Sequence, residues 1–207
     1  MTRSRVVLAT RGSGKLRELA AIVREAGLDA VTLEDLALPA LAVEDEIERH
    51  STFRENALAK ARHFFARCGG LPVIAEDSGL EVSALGGRPG VHSKRWSGRS
   101  DLTGRALDAA NNEHLIASLR GVSDRSARYV CEAVLIDASS VRTARGESAG
   151  EILDAPRGTE GFGYDPHFLS RELGVTFAEA TMDDKARVSH RGRALRALLR
   201  AKSSFVD

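Results

Sequence analysis

The sequence predicts an α/β fold with a mixed β-sheet flanked by helices, and two observations carry that expectation. Near the N-terminus the apolar run Arg5-Val6-Val7-Leu8-Ala9 ends in the turn Gly12-Ser13-Gly14, after which Leu16, Leu19, Ala20 and Val23 recur at helical spacing until Gly27. Strand, Gly-rich loop and helix follow from those periods. Beyond this unit, helical and strand patterns keep alternating instead of separating into blocks, the pattern expected of a sheet layered with helices.

The remaining elements follow in chain order. A helix is expected from Phe53 to about Arg67, because Phe53, Ala57, Ala61 and Phe64 or Phe65 fall on one face. Pro72-Val73-Ile74-Ala75 reads as a buried strand that ends at Glu76-Asp77-Ser78-Gly79. Residues 101–119 carry Leu102, Ala106, Ala110, Leu115 and Leu119 at helical spacing, with Ser100 or Asp101 as N-cap. Tyr129, Val130, Val134 and Ile136 favour a strand over Ala127–Ile136, and Asp137 to Ser140 supply its turn. Val141 to Ile152 suits an antiparallel return, and Leu195, Leu198 and Leu199 mark a last helix.

At 207 residues and 22.2 kDa the chain suits one sizeable core, read as a single domain over residues 1–207. Thirty Lys plus Arg against 29 Asp plus Glu leave a net charge of +1, which provides no global field toward nucleic acid or an anionic membrane. Phosphate binding therefore has to be local. No apolar run approaches the roughly 18 residues of a membrane span, and Val6–Ala9 is too short for a signal segment, so a cytoplasmic protein is expected. Cys68 and Cys131 stand far apart with no zinc-type spacing, and both read as small buried hydrophobes.

Five segments carry candidate chemistry. In Thr10-Arg11-Gly12-Ser13-Gly14-Lys15 a strand runs into a helix, where free backbone N–H groups and a lysine suit a phosphate. A P-loop is excluded, since Ala9 and Leu16 stand where that motif needs Gly and Ser or Thr. Glu76-Asp77 sets two carboxylates beside each other, hard oxygen donors that suit Mg²⁺ and the orientation of an attacking water. The acidic run Glu44, Asp45, Glu46 and Glu48 is either a further metal ligand or a solvated loop. Gly161-Phe162-Gly163-Tyr164-Asp165-Pro166 suits a tight loop that sets an aromatic face against a nucleobase, or a hairpin that packs Phe162 and Tyr164 inward. From Lys185 to Lys202 the chain holds seven basic residues and His190 with no acid, which reads as an anion site or a solvated helix face.

Together these segments resemble the Ham1 family of inosine triphosphate pyrophosphatases. The resemblance is carried by Ala9-Thr10 with Gly14-Lys15 and Glu18, by Thr52-Phe53 with Glu55-Asn56-Ala57, and by Asp77-Ser78-Gly79-Leu80. It continues through Leu85-Gly86-Gly87 with Pro89-Gly90-Val91, Gly161 to Pro166, and Ser189-His190-Arg191-Gly192. It implies an elongated mixed sheet in two lobes with the nucleotide in a central cleft, and a homodimeric, Mg²⁺-dependent enzyme. Such an enzyme cleaves ITP, dITP and XTP to monophosphate and pyrophosphate. On this match Asp77 is the general base and a metal ligand, Glu48, with Glu46 close by, is the second ligand, and Ser78 contacts the substrate. Thr10, Arg11, Gly12, Ser13, Gly14 and Lys15 hold the phosphates. Phe162, Gly163, Tyr164 and Asp165 hold the base with His190 and Arg191, and Lys185 holds the substrate as well. Two departures stand out: Gly12 replaces the family's usual Asn, and Glu76 replaces the first Asp of its Asp-Asp-Ser-Gly block. The alternatives are a Maf-like pyrophosphatase for other modified nucleotides and a catalytically silent nucleotide-binding protein.

Overall fold

The computed structural model describes residues 3–200, leaving aside the side chain of Asp45. Its strands are β1 (Arg5–Leu8), β2 (Asp29–Val31), β3 (Val73–Val82), β4 (Ser126–Ile136), β5 (Val141–Ile152) and β6 (Phe168–Ser170). They form one sheet in the order β2-β1-β3-β4-β5-β6. β1 is parallel to β2 and β3, whereas β5 and β6 are antiparallel, so the sheet is mixed. The helices are α1 (Ser13–Glu25), α2 (Glu44–Ile47), α3 (Phe53–Phe65), α4 (Gly104–Ser118), α5 (Met182–Val188) and α6 (His190–Arg200). None of the described helices is long and apolar enough to cross a membrane.

The chain divides into two compact units. The first takes residues up to Asp77, Cys131–Gly146 and the stretch from His190, and the second takes Ser78–Val130 and Glu147–Ser189. Neither is a continuous piece of chain, because β3, β4 and β5 each contribute to both.

In the first unit β1 is covered on both faces, which is why it reads as an unbroken apolar run. Alternation sends Val6 and Leu8 into a cluster with Leu19, Ile22 and Val23 of α1 and Ala194, Leu195 and Leu198 of α6. Val7 and Ala9 join Ala57, Ala61 and Phe64 of α3 in the opposite cluster. Each fully buried Val, Leu or Ile side chain among these contributes about 1.5–3 kcal/mol. α3 begins where Thr52 accepts the Glu55 N–H through Oγ1 at 3.2 Å and donates its hydroxyl to the Glu55 carboxylate at 2.8 Å. α6 rests against the backbone of β5 at Gly146. A Cβ there would lie 2.2 Å from the His190 carbonyl oxygen and 2.5 Å from the Ala194 nitrogen, so only glycine allows this approach. The close contact fixes the first turn of α6 and with it His190 and Arg191.

The second unit packs Leu80 and Val82 of β3 with Leu115 and Leu119 of α4 around the aromatic trio Tyr129, Phe168 and Phe177. Tyr129 stacks on Phe177 at 5.8 Å and meets Phe168 at 4.6 Å.

The structure departs from the sequence reading at several elements. β3 does not stop at Ala75 but runs through Glu76-Asp77-Ser78-Gly79 to Val82. Turn-type residues gave way to packing there, because Leu80 and Val82 continue the buried alternation. α4 starts after Thr103, which caps it without a side-chain bond, so neither Ser100 nor Asp101 is its cap. β2 and β6 have three residues each, too few to show a period. The basic segment is two helices, broken at Ser189 in extended conformation (ψ 151°). Lys202 lies outside the described residues.

Candidate functional site

The sequence-predicted residues fall into two sets, one in each unit. In the first unit, β1 makes its last bond to β3 where the Ala9 N–H donates to the Ile74 carbonyl at 2.8 Å. β3 continues from there with Glu76 and Asp77, 1% and 7% exposed, while the β1 chain turns through Thr10 into α1. The loop is closed by the Gly12 N–H donating to Thr10 Oγ1 at 3.3 Å, and α1 starts at Ser13 with no capping side chain. The first N–H groups of that helix therefore have no acceptor within it, and they share the end that favours an anion. Gly12 adopts an ordinary φ of −74° and a Cβ on it would meet nothing closer than 3.8 Å. A glycine at this position thus reflects no demand of the backbone.

Lys15 reaches back from this loop to Glu76 Oε1 at 2.8 Å. α3 adds two residues from its buried face: Asn56 Nδ2 donates to Asp77 Oδ2 at 2.9 Å, and Lys60 Nζ donates to the Glu76 carbonyl at 2.8 Å and pairs with Glu48. α6 adds Arg191, 5% exposed, bonded to Glu18 at 2.9 Å and facing Glu76 at 3.5 Å. Four carboxylates, Glu18, Glu48, Glu76 and Asp77, thus cluster with Lys15, Lys60 and Arg191, and their protonation separates. Burial raises the Asp77 carboxyl above its ordinary value, outweighing the opposite pull of Lys15 and Lys60, with Glu48 raising it further. Burial acts on Glu76 too, but Lys15, Arg191 and Lys60 together hold it well below the usual range. Glu48 is likewise held down by Lys60 and Lys15 against its burial. Two neighbouring carboxylates with environments of opposite effect have different tasks: Glu76 anchors cations, and Asp77 is the more basic oxygen donor.

Among the described residues no group of three or more His, Cys, Asp or Glu side chains stands ready as a metal cage. Mg²⁺ needs less, being held commonly by one or two carboxylates with water and phosphate oxygens completing its shell. Asp77 and Glu48 fit that demand, since the Glu48 charge raises the Asp77 carboxyl and a bound divalent ion would relieve that repulsion. Glu46 is exposed and paired with Arg49, so it stands apart from this cluster.

Arg11 is engaged elsewhere. Its guanidinium takes Glu44 at 2.9 and 3.0 Å and the carbonyls of Leu38 and Pro39 at 3.0 Å. Arg67 binds the same Glu44 at 2.8 Å and the same Pro39 carbonyl at 2.8 Å. The Arg11 hydrogen bond, with that of Arg67, overcomes partial burial and holds the Glu44 carboxyl at about 2. A carboxylate with a depressed folded-state pKa stabilises above its unfolded value and loses that contribution as pH falls through the folded one. Glu44→Gln is therefore expected to melt a few degrees lower than the parent at pH 7. The gap should close as the pH is taken below about 4.5 toward 2. Parallel thermal melts across pH check this, and a gap that stays constant down to pH 2 would remove Glu44 as its source.

The second unit holds the loop Gly161–Pro166. Asp165, 3% exposed, accepts the Phe162 N–H at 2.8 Å and forms an ion pair with buried Lys185 at 2.6 Å. The Lys185 ammonium also lies over the rings of Phe162 at 5.1 Å and Phe177 at 5.3 Å. Phe162 is half-buried, whereas Tyr164 is packed into the core with its hydroxyl donating to the Ser93 carbonyl at 2.7 Å. The aromatic available to a flat ligand is thus Phe162. Ser78 follows Asp77 on β3 and is half-buried. His190 is 1% exposed and stands with Arg191 in the first unit at the start of α6.

Lys60 was given no role in the sequence reading, and Asn56 only a place in a motif. A signal was present: both fall on the same helical face as Phe53, Ala57, Ala61 and Phe64, and a polar residue on an apolar stripe calls for a buried partner.

The Ham1 family model matches residues 6–201. Among curated proteins, the dITP/XTP pyrophosphatase of Burkholderia pseudomallei is 50% identical over 200 residues, covering 95% of this chain and 92% of that protein. That of Thermus thermophilus is 47% identical over 200 residues, 95% and 91% of the two chains. Among solved structures, a HAM1 protein from Coxiella burnetii superposes with a TM-score of 0.80 at 36% identity, covering 97% of this chain and 98% of that one. A Mycobacterium abscessus structure described as a nucleoside-triphosphatase / dITP/XTP pyrophosphatase gives 0.69 at 40% identity, covering 94% and 98%.

Proposed function

The chain belongs to the Ham1 family, and from that premise we propose that it hydrolyses the non-canonical purine triphosphates dITP, XTP and ITP to monophosphate and pyrophosphate. In doing so it clears deaminated purines from the nucleotide pool. The bond broken is the α–β phosphoanhydride, and the ion used is Mg²⁺, held by Asp77 and Glu48. The observation that carries this reading is the buried Asp77 carboxylate, raised in basicity and steadied by Asn56, beside two lysines within reach of its charge.

The chain's own groups divide the work. Asp77 orients a water toward the α-phosphorus and takes its proton, which an ionised carboxylate of raised pKa does well at neutral pH. Lys15, the first-turn N–H groups of α1 and the Thr10 hydroxyl receive the triphosphate. Lys60 leaves Glu48 for a phosphate oxygen as charge builds on the leaving pyrophosphate. Arg11 contributes through its backbone, its guanidinium being committed to Glu44. Mg²⁺ held by Asp77 and Glu48 would supply neutralisation of the phosphate charge.

Phe162 stacks on the base, while Lys185, Asp165 and the loop backbone of Gly163 and Tyr164 read its edge; Arg191 stays on Glu18 and Glu76 in the carboxylate cluster. Inosine and xanthosine present a keto oxygen at position six where adenosine presents an amino group. A donor placed there rejects ATP because donor then faces donor. GTP shares the keto group, so its exclusion falls to contacts at position two. This reading extends to one catalytic domain over 1–207, acting as a homodimer in the cytoplasm on free nucleotides, with neither nucleic acid nor membrane as partner. The near-neutral charge of +1 supports that choice.

The test is Mg²⁺-dependent pyrophosphate release across dITP, XTP, ITP, dATP, dGTP and a pyrimidine triphosphate. Preference for the first three is the expected result. Preference for a modified pyrimidine would favour a Maf-like enzyme, and binding without hydrolysis a silent nucleotide-binding protein.

A further inference from the structure

Gly163 is held by both of its backbone groups, and both holders come from one helix. Its N–H donates to Asp108 Oδ2 at 2.9 Å and its carbonyl accepts from Asn112 Nδ2 at 2.9 Å. Asp108 and Asn112 stand one turn apart on α4, so they face the same way and catch one residue between them. Asn112 Nδ2 also donates to the Asp108 carbonyl at 2.9 Å, which orients the amide with both neighbours as acceptors. Asn112 is 9% exposed, and among the described residues its buried Oδ1 has no hydrogen-bond partner. A buried polar side chain kept with one end unsatisfied is costly, so what it does at the other end has to offset that cost. Gly163 itself has φ of +64°, a conformation that ordinary side chains rarely adopt, and a Cβ there would touch nothing within 4 Å. The glycine is required by the left-handed turn that the clamp holds, not by crowding.

We infer that Asp108 and Asn112 are positioning residues that fix the Phe162–Asp165 loop in its base-reading shape and thereby set purine selectivity. The inference rests on the reading of that loop as the base site. The Phe162 N–H to Asp165 bond closes the loop locally, Asp165 ties it to Lys185 and to the Tyr129 hydroxyl at 3.4 Å, the Tyr164 hydroxyl ties it to Ser93, and at Gly163 the backbone itself is tied to α4. Burial, with the nearby Asp108 charge, keeps that Tyr164 hydroxyl protonated and able to donate. The clamp's bonds run to Gly163 and within α4, so loosening it weakens binding of the base in ground and transition state alike. That signature is a raised KM with kcat little changed.

The experiment measures pyrophosphate release from dITP, XTP and dATP by the full chain and by Asp108→Ala, Asp108→Asn and Asn112→Asp, each with a thermal melt. Asp108→Ala is expected to raise KM for dITP and XTP about tenfold, keep kcat within about twofold, and narrow the preference for dITP over dATP. Asp108→Asn keeps an oxygen that accepts the Gly163 N–H and is expected to stay within about twofold of the parent. Asn112→Asp turns a carboxylate oxygen toward the Gly163 carbonyl and should match or exceed the defect of Asp108→Ala, which also serves should that variant not fold. Unchanged KM and preference in the folded variants, or Asp108→Asn as impaired as Asp108→Ala, overturns the inference while the activity stands. An unaltered protein inactive on dITP and XTP overturns the activity reading itself, and the clamp's role with it.

Discussion

Asp77→Asn is expected to lower pyrophosphate release from dITP by about a thousandfold while nucleotide binding survives. The substitution keeps the shape of the side chain and an oxygen for the Asn56 amide, now 2.9 Å away, so the local fold has little reason to change. It removes the carboxylate whose basicity burial raises, the group proposed to take the proton of the attacking water. Glu76 cannot replace it, because Lys15 and Arg191 hold its carboxylate as a structural anion. Binding is expected to hold or tighten, since a negative charge has been taken from beside Lys15 and Lys60 where a polyanion must sit. Single-turnover release measured beside calorimetric binding of dITP separates the two effects. Turnover equal to that of the parent would mean that Asp77 is not the base.

The parts of this molecule that were legible in its sequence are those where a local pattern and the tertiary outcome agree. Val6 to Ala9 is apolar throughout because both faces of β1 are covered, and the helix after it carries its apolar stripe until Gly27. The Thr10–Lys15 loop and the Asp77 carboxylate were visible as residue types in order, even though the strand carrying Asp77 runs on well past the turn-like residues beside it. What stayed hidden depends on contacts remote in sequence. Nothing near Arg11 announces that its guanidinium is taken by Glu44, 33 positions on, and so is not offered to a phosphate. Arg191 lies 173 positions from Glu18, the carboxylate that holds it. The sequence also offers no sign of the clamp on Gly163, because Asp108 and Asn112 sit in a helix whose motif value is low and whose partner is 51 and 55 positions away. Short elements such as β2 and β6 are formed by their neighbours in the sheet, and three residues alone carry no period.

Asp165→Asn is expected to be the most destabilising single change in the base loop, and its double with Lys185→Met is expected to recover stability without recovering selectivity. The Asp165 and Lys185 side chains are 4% and 7% exposed and 2.6 Å apart. Removing one charge from such a pair leaves the other buried without its partner, which costs about 3–5 kcal/mol. For a chain of this length that is roughly 6 to 20 °C in Tm. The amide keeps an acceptor for the Phe162 N–H, so the loss belongs to the charge and not to the turn. With Lys185→Met added, an apolar chain lies between the rings of Phe162 and Phe177 where the ammonium lay at 5.1 and 5.3 Å, a setting that favours methionine. Replacing a buried ion pair on both sides is often neutral or better for stability, so the double variant should melt well above Asp165→Asn alone. It lacks the charged groups proposed to read the purine edge, and its kcat/KM for dITP over dATP should therefore remain collapsed. A double variant as unstable as the single one would show that the pair is needed to hold the fold. One that regained selectivity would move base reading away from Lys185 and Asp165, to the loop backbone.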